Sequence, residues 1–389
     1  MAASHELGIK EIHSFHFVTS ENERSHNYYT EKMGWRPVAI SSESFEKQTG
    51  QSSTVFQNGD IRWVVSTPLN DSCRAARFLK RHPAGVMSVS FEVEDIQKAW
   101  DFLDQRGGTP IYSVQTTTND QGGCFKHFSI ATPIGDLTFR FIEKHNWNDF
   151  APGFETLPNM TIINRDNYQY KKIDHITCNV MTMAAVELWF EHVLGMERCW
   201  GIEFHTDEIN ENAVSGTGLK SVVMWDPSSG VKFPINEPME PFFKEGQINQ
   251  FVEDNCGGGV QHIALEVDNI LNAAQALTGR GVQFLETPEV YYEPVPERLK
   301  EVGVDINNLK HSIDDLKPHG LLIDGSPTDQ YMLQVFFKDA STYHDDHQAG
   351  PFFFEIIERQ GDQGFGGGNF RALFEAIELE QNKQIEASA

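Results

Sequence analysis

A weak internal duplication constrains this chain more than any other feature of its sequence. Ile12-His13-Ser14-Phe15-His16-Phe17-Val18 and Ile173-Asp174-His175-Ile176-Thr177-Cys178-Asn179 are both strand-like, and each leads into a helix-like stretch ending in glycine. Gly34 follows Ile12, and Gly195 follows Ile173, by the same 22 positions. A second match sets Gly85–Ile96 against Gly259–Ile270, each reading as a strand running into a helix. A third sets Leu137–Lys144 against Phe352–Arg359. Matches in the same order imply two domains of one architecture, spanning 1–155 and 156–389, with the Pro- and Gly-bearing stretch 151–160 read as a linker. Strands alternate with single helices and no continuous βαβ run is present, which predicts an α+β class.

The copies differ where chemistry would sit. The first carries Ser14, Ser88 and Arg140 at the positions where the second carries His175, His262 and Glu355. Two imidazoles and one carboxylate on one face form the facial triad of non-haem iron(II) sites, which leaves positions open for substrate and dioxygen. The first copy cannot build that site, because Arg140 would put a cation in place of the metal. A lone strand histidine is usually a core or surface residue. Glu355, by contrast, sits in the apolar run Phe352–Ile357, where a carboxylate is costly to bury unless it is paired or metal-bound. The coincidence of all three at matched positions favours the metal reading over a salt bridge.

Composition narrows the classes. The chain has 389 residues and 28 Phe, enough for sizeable cores. Its net charge of −25 repels phosphate backbones, so nucleic acid is not an expected partner. No run of about 18 apolar residues is present, so no membrane span is expected. The first residues lack the charged head and apolar core of a signal peptide. Five cysteines with no CxxC spacing argue for free thiols in a reducing cytoplasm. The stretch His344-Asp345-Asp346-His347 resembles a metal cluster but reads as a solvated loop. The glycines from Gly364 to Gly368 lack the ending of a phosphate loop and read as a hinge. Beyond them Asn369 can cap a helix to about Gln381, whose apolar face includes Phe370 and Phe374; a lid over the site is expected there.

Taken together, Asp174-His175, Pro234-Ile235-Asn236-Glu237-Pro238, Gln261-His262-Ile263-Ala264-Leu265, Phe354-Glu355-Ile356-Ile357, Gly364-Phe365-Gly366, Asn369-Phe370 and Leu373-Phe374 form a specific set. Through them the chain resembles the 4-hydroxyphenylpyruvate dioxygenase family, two-domain members of the vicinal oxygen chelate superfamily. The resemblance covers essentially the whole chain. It implies two tandem open barrels, each from paired βαβββ units, plus a C-terminal helix, with one Fe(2+) per chain held by His175, His262 and Glu355 and no organic cofactor. It implies substrate-binding roles for Ser221, Pro234, Asn236, Gln247, Gln261, Gln334, Phe336, Phe353, Asn369, Phe370 and Phe374, and catalytic roles for Asn236, Gln261 and Gln334.

The implied partners are 4-hydroxyphenylpyruvate and dioxygen, with a homo-oligomer, dimer or tetramer, expected. The implied reaction is oxidative decarboxylation with ring hydroxylation and side-chain migration, giving homogentisate and CO2 in tyrosine catabolism. The nearest alternative is 4-hydroxymandelate synthesis, which shares the substrate and the triad but oxidises the benzylic carbon. The resemblance places the difference at Pro234, Asn236 and Phe353, where this chain carries the dioxygenase-like residue. A metal-free binding protein on the same fold is the alternative from another class.

Overall fold

The computed structural model describes residues 3–158, 167–206, 218–239 and 246–369. Two curled sheets dominate it. The first contains β1 (Ile9–Val18), β2 (Arg36–Ser41), β3 (Gln51–Asn58), β4 (Ile61–Pro68), β5 (Gly85–Val93), β6 (Pro110–Thr118), β7 (Cys124–Ala131), β8 (Thr138–His145) and β9 (Phe154–Thr156). The second contains β10 (Tyr170–Asn179), β11 (Glu197–His205), β12 (Gly218–Trp225), β13 (Lys232–Pro238), β14 (Gly259–Val267), β15 (Leu322–Ser326), β16 (Gln330–Phe336) and β17 (Phe353–Gln360).

Their orders are β6-β7-β8-β5-β1-β4-β3-β2-β9 and β11-β12-β13-β10-β14-β17-β16-β15. Each sheet is two βαβββ units joined through an antiparallel central pair, β1 with β5 and β10 with β14. Within each unit the first strand runs parallel to the last: β1 with β4, β5 with β8, β10 with β13, and β14 with β17. The stretch read as a linker begins inside this frame, because Phe154–Thr156 pairs with β2 at the sheet edge.

The duplication extends to local geometry. Gly34 and Gly195 both adopt positive φ, at 69° and 70°, where a side chain would be strained. The helices Ile96–Gln105 and Ile270–Gly279 are capped alike, by Asp95 and Asn269. Their first N–H groups are also bound alike, Ile96 N by Glu143 and Ile270 N by Glu358. Both central strands carry a register shift at the same place, between Ile12 and Ser14 and between Ile173 and His175. A bulge there places one extra residue, His13 or Asp174, beside the site position and re-aims it.

One hydrophobic core runs through both domains. Trp63, fully buried on β4, packs at 5.2 Å from Phe354 and 5.5 Å from Phe352, the residues on either side of Phe353 at the start of β17. Phe139 of β8 meets Phe233 of β13 at 5.4 Å. Each such aromatic contributes about 1.5–3 kcal/mol through burial, so the strand bearing Glu355 is fixed from behind by the first domain. The His344–His347 stretch is largely exposed, as expected, but it is not all loop and it touches the first domain. It ends the helix Ala340–His344, Asp346 pairs with Arg24 at 2.6 Å, and Tyr343 packs edge-on to Tyr28. The five cysteines are free thiols. Among the described residues no helix is long and apolar enough to cross a membrane.

Candidate metal centre

Strand register brings the three expected ligands together. His175 on β10 is opposite Ala264 on β14, which is opposite Glu355 on β17. The neighbouring row is Thr177, His262 and Phe353. Side chains two apart on one strand share a face, so His175, His262 and Glu355 all point into the concave side of the second sheet. Ala264, between His175 and Glu355 in this row, is small enough to let them meet above it. One ligand atom from each lies within 4.8 Å of the others. Glu355 Oε2 stands 3.3 Å from both His175 Nε2 and His262 Nε2. All three residues are buried.

Each ligand is oriented from outside the triad. His175 Nδ1 is 2.8 Å from Asp174 Oδ1, and His262 Nδ1 is 3.1 Å from Gln261 Oε1. An imidazole whose Nδ1–H donates outward leaves the Nε2 lone pair facing the centre, the tautomer a metal requires. Gln334 Nε2 donates to Glu355 Oε1 at 2.9 Å. Asn369 Nδ2 donates to Gln334 Oε1 at 2.9 Å, and Tyr291 OH donates to Asn369 Oδ1 at 2.6 Å. Burial would raise the Glu355 carboxyl, but the two histidines beside it hold it down at about 2. Burial would lower His175, and Glu355 and Asp174 raise it instead. The carboxylate is therefore ionised, and the donor set of two imidazoles and one carboxylate fits a divalent first-row cation.

Around the triad lies a cavity of about 90 Å³. Ser221, Pro234, Asn236, Gln247, Gln261, Gln334, Phe336, Phe353 and Asn369 line it together with the triad. Phe370, Phe374 and the expected lid helix lie outside the described residues. Sequence reasoning missed Thr177, Trp200, Leu219, Ile248, Leu285, Leu322 and Phe365. Of these, Thr177 and Phe365 stood in quoted segments without being assigned a role, and Phe365 packs at 5.4 Å from His175 and 5.6 Å from Trp200. It also missed Asp174 and Arg359 as a pair, with Arg359 Nε and Nη2 at 2.6 and 2.7 Å from the carboxylate.

The glycines expected to form a hinge are used for close approach. A Cβ on Gly366 would lie 2.2 Å from Gln334 Oε1, and one on Gly368 would lie 2.5 Å from Asp324 Oδ1. Gly368 N donates to Asp324 Oδ2 at 2.9 Å, and Gly368 O accepts from Arg298 at 3.0 Å.

Comparison with known proteins agrees with this geometry. The model of the Glyoxalase/Bleomycin resistance protein/Dioxygenase superfamily matches residues 11–137 and 172–294, one segment in each domain. The chain is 33% identical to a 4-hydroxyphenylpyruvate dioxygenase of Coccidioides posadasii, over 94% of this chain and 92% of that protein. It is 32% identical to one of Dictyostelium discoideum, over 91% and 93%. A solved mutant of 4-hydroxymandelate synthase from Streptomyces coelicolor shares the fold, with a TM-score of 0.76 at 23% identity, over 96% of this chain and 99% of that one. Identity of this level along nearly the full length of both chains places the protein in the 4-hydroxyphenylpyruvate dioxygenase family, a group of non-haem iron enzymes within that superfamily.

Proposed function

We propose that the chain converts 4-hydroxyphenylpyruvate and dioxygen to homogentisate and CO2, with one iron(II) held by His175, His262 and Glu355. The observation that carries this reading is the convergence of two oriented imidazoles and an ionised carboxylate inside a cavity walled by Phe336 and Phe353. Bound iron(II) would supply open coordination positions for the 2-oxo acid and dioxygen, and the redox chemistry that joins them.

The chain's own residues bind, orient and exclude water. Phe336 and Phe353 offer apolar faces to an aromatic ring. Asn236 and Ser221 are paired across β12 and β13, with Asn236 already turned toward Asn179 Oδ1 at 3.0 Å. They offer polar contacts on the wall opposite the phenylalanines. Gln261 and Gln334 each touch a ligand side chain and the cavity at once, so they can fix the triad and meet the substrate's polar ends. Phe365, edge-on to His175, adds a further apolar face to the cavity.

Relatives named as 4-hydroxyphenylpyruvate dioxygenases support this product over 4-hydroxymandelate, as do Pro234, Asn236 and Phe353. The test is incubation of anaerobically iron-loaded protein with 4-hydroxyphenylpyruvate and oxygen, with products identified by mass spectrometry and NMR. Homogentisate supports the reading. Predominant 4-hydroxymandelate replaces it with the synthase, and protein that takes up no iron replaces it with a binding protein.

A further inference from the structure

A second, wider cavity lies in the other domain. It measures about 1110 Å³ and fills the concave side of the first sheet, at the place related by the duplication to the metal centre. Strand register makes the relation specific. Ser14, Ser90 and Arg140 form one row across β1, β5 and β8, and His16, Ser88 and Thr138 form the next. Arg140 therefore occupies the position of Glu355, and Ser14 and Ser88 those of the two histidines.

The charge lining this cavity is one-sided. Arg74, Arg77, Arg140 and Lys47 contribute to its wall, Lys47 paired outside it with Glu43 at 3.3 Å, and among the described residues no Asp or Glu lines it, in a chain whose net charge is −25. Arg74 Nη2 donates to Thr138 Oγ1 at 2.9 Å, a neutral partner. Arg140 Nε is buried without any hydrogen-bond partner among the described residues. The carboxylate that acts on Arg74, Asp136, is already engaged by His82 at 2.7 Å and Arg81 at 3.1 Å. The surroundings respond as they would to an uncompensated positive field. Burial and then the charges of Arg74 and Arg140 push His16 down to about 3, and burial and then Arg140 do the same to His127. The remaining wall is rich in hydroxyls, among them Ser53, Ser88, Ser129 and Tyr112.

Arg140 is half-buried, with its Nε closed off from water and without a partner, and guanidinium is the side chain best shaped to grip a carboxylate or phosphate. From the cavity, the acid-free lining and the unpaired Arg140 we infer that the first domain binds a small organic anion bearing a carboxylate or phosphate group, gripped between Arg140 and Arg74. The duplicated barrel thus keeps one ligand pocket per copy, a cation site in the second and an anion site in the first.

Calorimetric titration of the full iron-loaded chain tests this, with inorganic phosphate and succinate as separate probes against a chloride background of constant ionic strength. At least one probe should bind with Kd of about 1 mM or tighter, as suits a fragment-sized ligand. Phosphate alone would identify the phosphate class, and succinate alone the carboxylate class. Arg140→Gln and Arg74→Gln should each weaken binding by ~10-fold or more, about the value of one charge-assisted contact, with iron content unchanged. His262→Ala, which disables the metal centre, should bind the same probe as well as wild type.

A readout without variants uses phenylglyoxal labelling of the wild-type chain, mapped by mass spectrometry. The bound probe should slow modification of Arg74 several-fold while leaving the exposed Arg36 unchanged. Absence of binding by both probes would overturn the inference. So would equal binding in Arg140→Gln, labelling of Arg74 indifferent to the probes, or loss of binding in His262→Ala, which would place the anion at the metal.

Discussion

Asp174 Oδ1 sits 2.8 Å from His175 Nδ1, and the same carboxylate is clasped by Arg359 from a strand 185 residues away in sequence. The bulge on β10 places Asp174 there. In the first domain the bulge residue His13 likewise lies 3.0 Å from Ser14, so the contact is a feature of the duplicated frame that the second copy converts to ligand orientation. Burial would raise Asp174, but Arg359 and His175 hold it well below the usual carboxylate range.

The first prediction follows from that contact. Asp174→Asn should reduce metal affinity by ~10–100-fold, the usual consequence of losing a partner behind a ligating histidine. It should also lower stability by about 3–5 kcal/mol, because Arg359 keeps a buried charge without its counter-ion. Metal titration and denaturant melts measure the two effects separately. Unchanged affinity for iron would show that His175 needs no support from Asp174.

Glu355→Gln should retain the fold and lose most activity and iron affinity. The amide keeps the shape of the carboxylate but removes the charge that two buried imidazoles face at 3.3 Å. Iron content by elemental analysis, alongside product formation, checks this. Full iron occupancy with normal turnover would mean that the carboxylate ligand is a different residue.

Much of this site was readable before any coordinates. His175, His262 and Glu355 stand out because the first domain carries Ser14, Ser88 and Arg140 at register-matched positions, so the duplication acts as an internal control. The two-domain repeat followed from the same matches, whereas the βαβββ barrel was implied by the family resemblance and the sheet order by neither. The Asp174–Arg359 pair and the Tyr291–Asn369–Gln334–Glu355 chain were not readable. Each joins residues distant in sequence by ordinary polar side chains that carry no local signature. The shared core was hidden for a similar reason, because Trp63 and Phe354 look like residues of separate domain interiors. The glycines at 364–368 were read as a hinge; the close approach of Gln334 to Gly366 and of Asp324 to Gly368, which also demands glycine, was not readable.

Gly366→Ala tests that last point. The residue adopts φ of 69°, and a methyl group would meet Gln334 Oε1 at 2.2 Å. The substitution costs about 1–2 kcal/mol for the backbone alone, and it pushes away the side chain that donates to Glu355. Turnover should fall by ~10-fold or more while iron still binds. An unaffected enzyme would show that Gln334 can leave Glu355 without consequence.

Ser14→Ala and Ser88→Ala should leave iron content unaltered and turnover within a few-fold. Ser88 Oγ donates to Thr138 O at 3.0 Å, so its loss costs about 1 kcal/mol of stability. Loss of iron in either variant would move the metal to the first domain.

The product itself depends on how the ring lies, and Phe353 is the residue placed to decide it. Its ring stacks on His262 with centroids 4.9 Å apart and planes at 20°, and it meets Phe336 edge-on at 6.4 Å. A substrate ring laid against Phe336 and Phe353 would be held close to the expected metal ligands, with the substituted ring carbon presented for oxidation. Isoleucine keeps an apolar wall but removes the flat face and opens space beside His262. A displacement of ~1 Å is enough to present the benzylic carbon instead, because reacting atoms must approach to ~3–3.5 Å. Phe353→Ile should therefore yield a detectable fraction of 4-hydroxymandelate where wild type yields homogentisate, with iron content unchanged. Chromatography of the two product mixtures measures it. An unchanged ratio would leave the triad intact and shift the control of regiochemistry to Pro234 and Asn236 on the opposite wall.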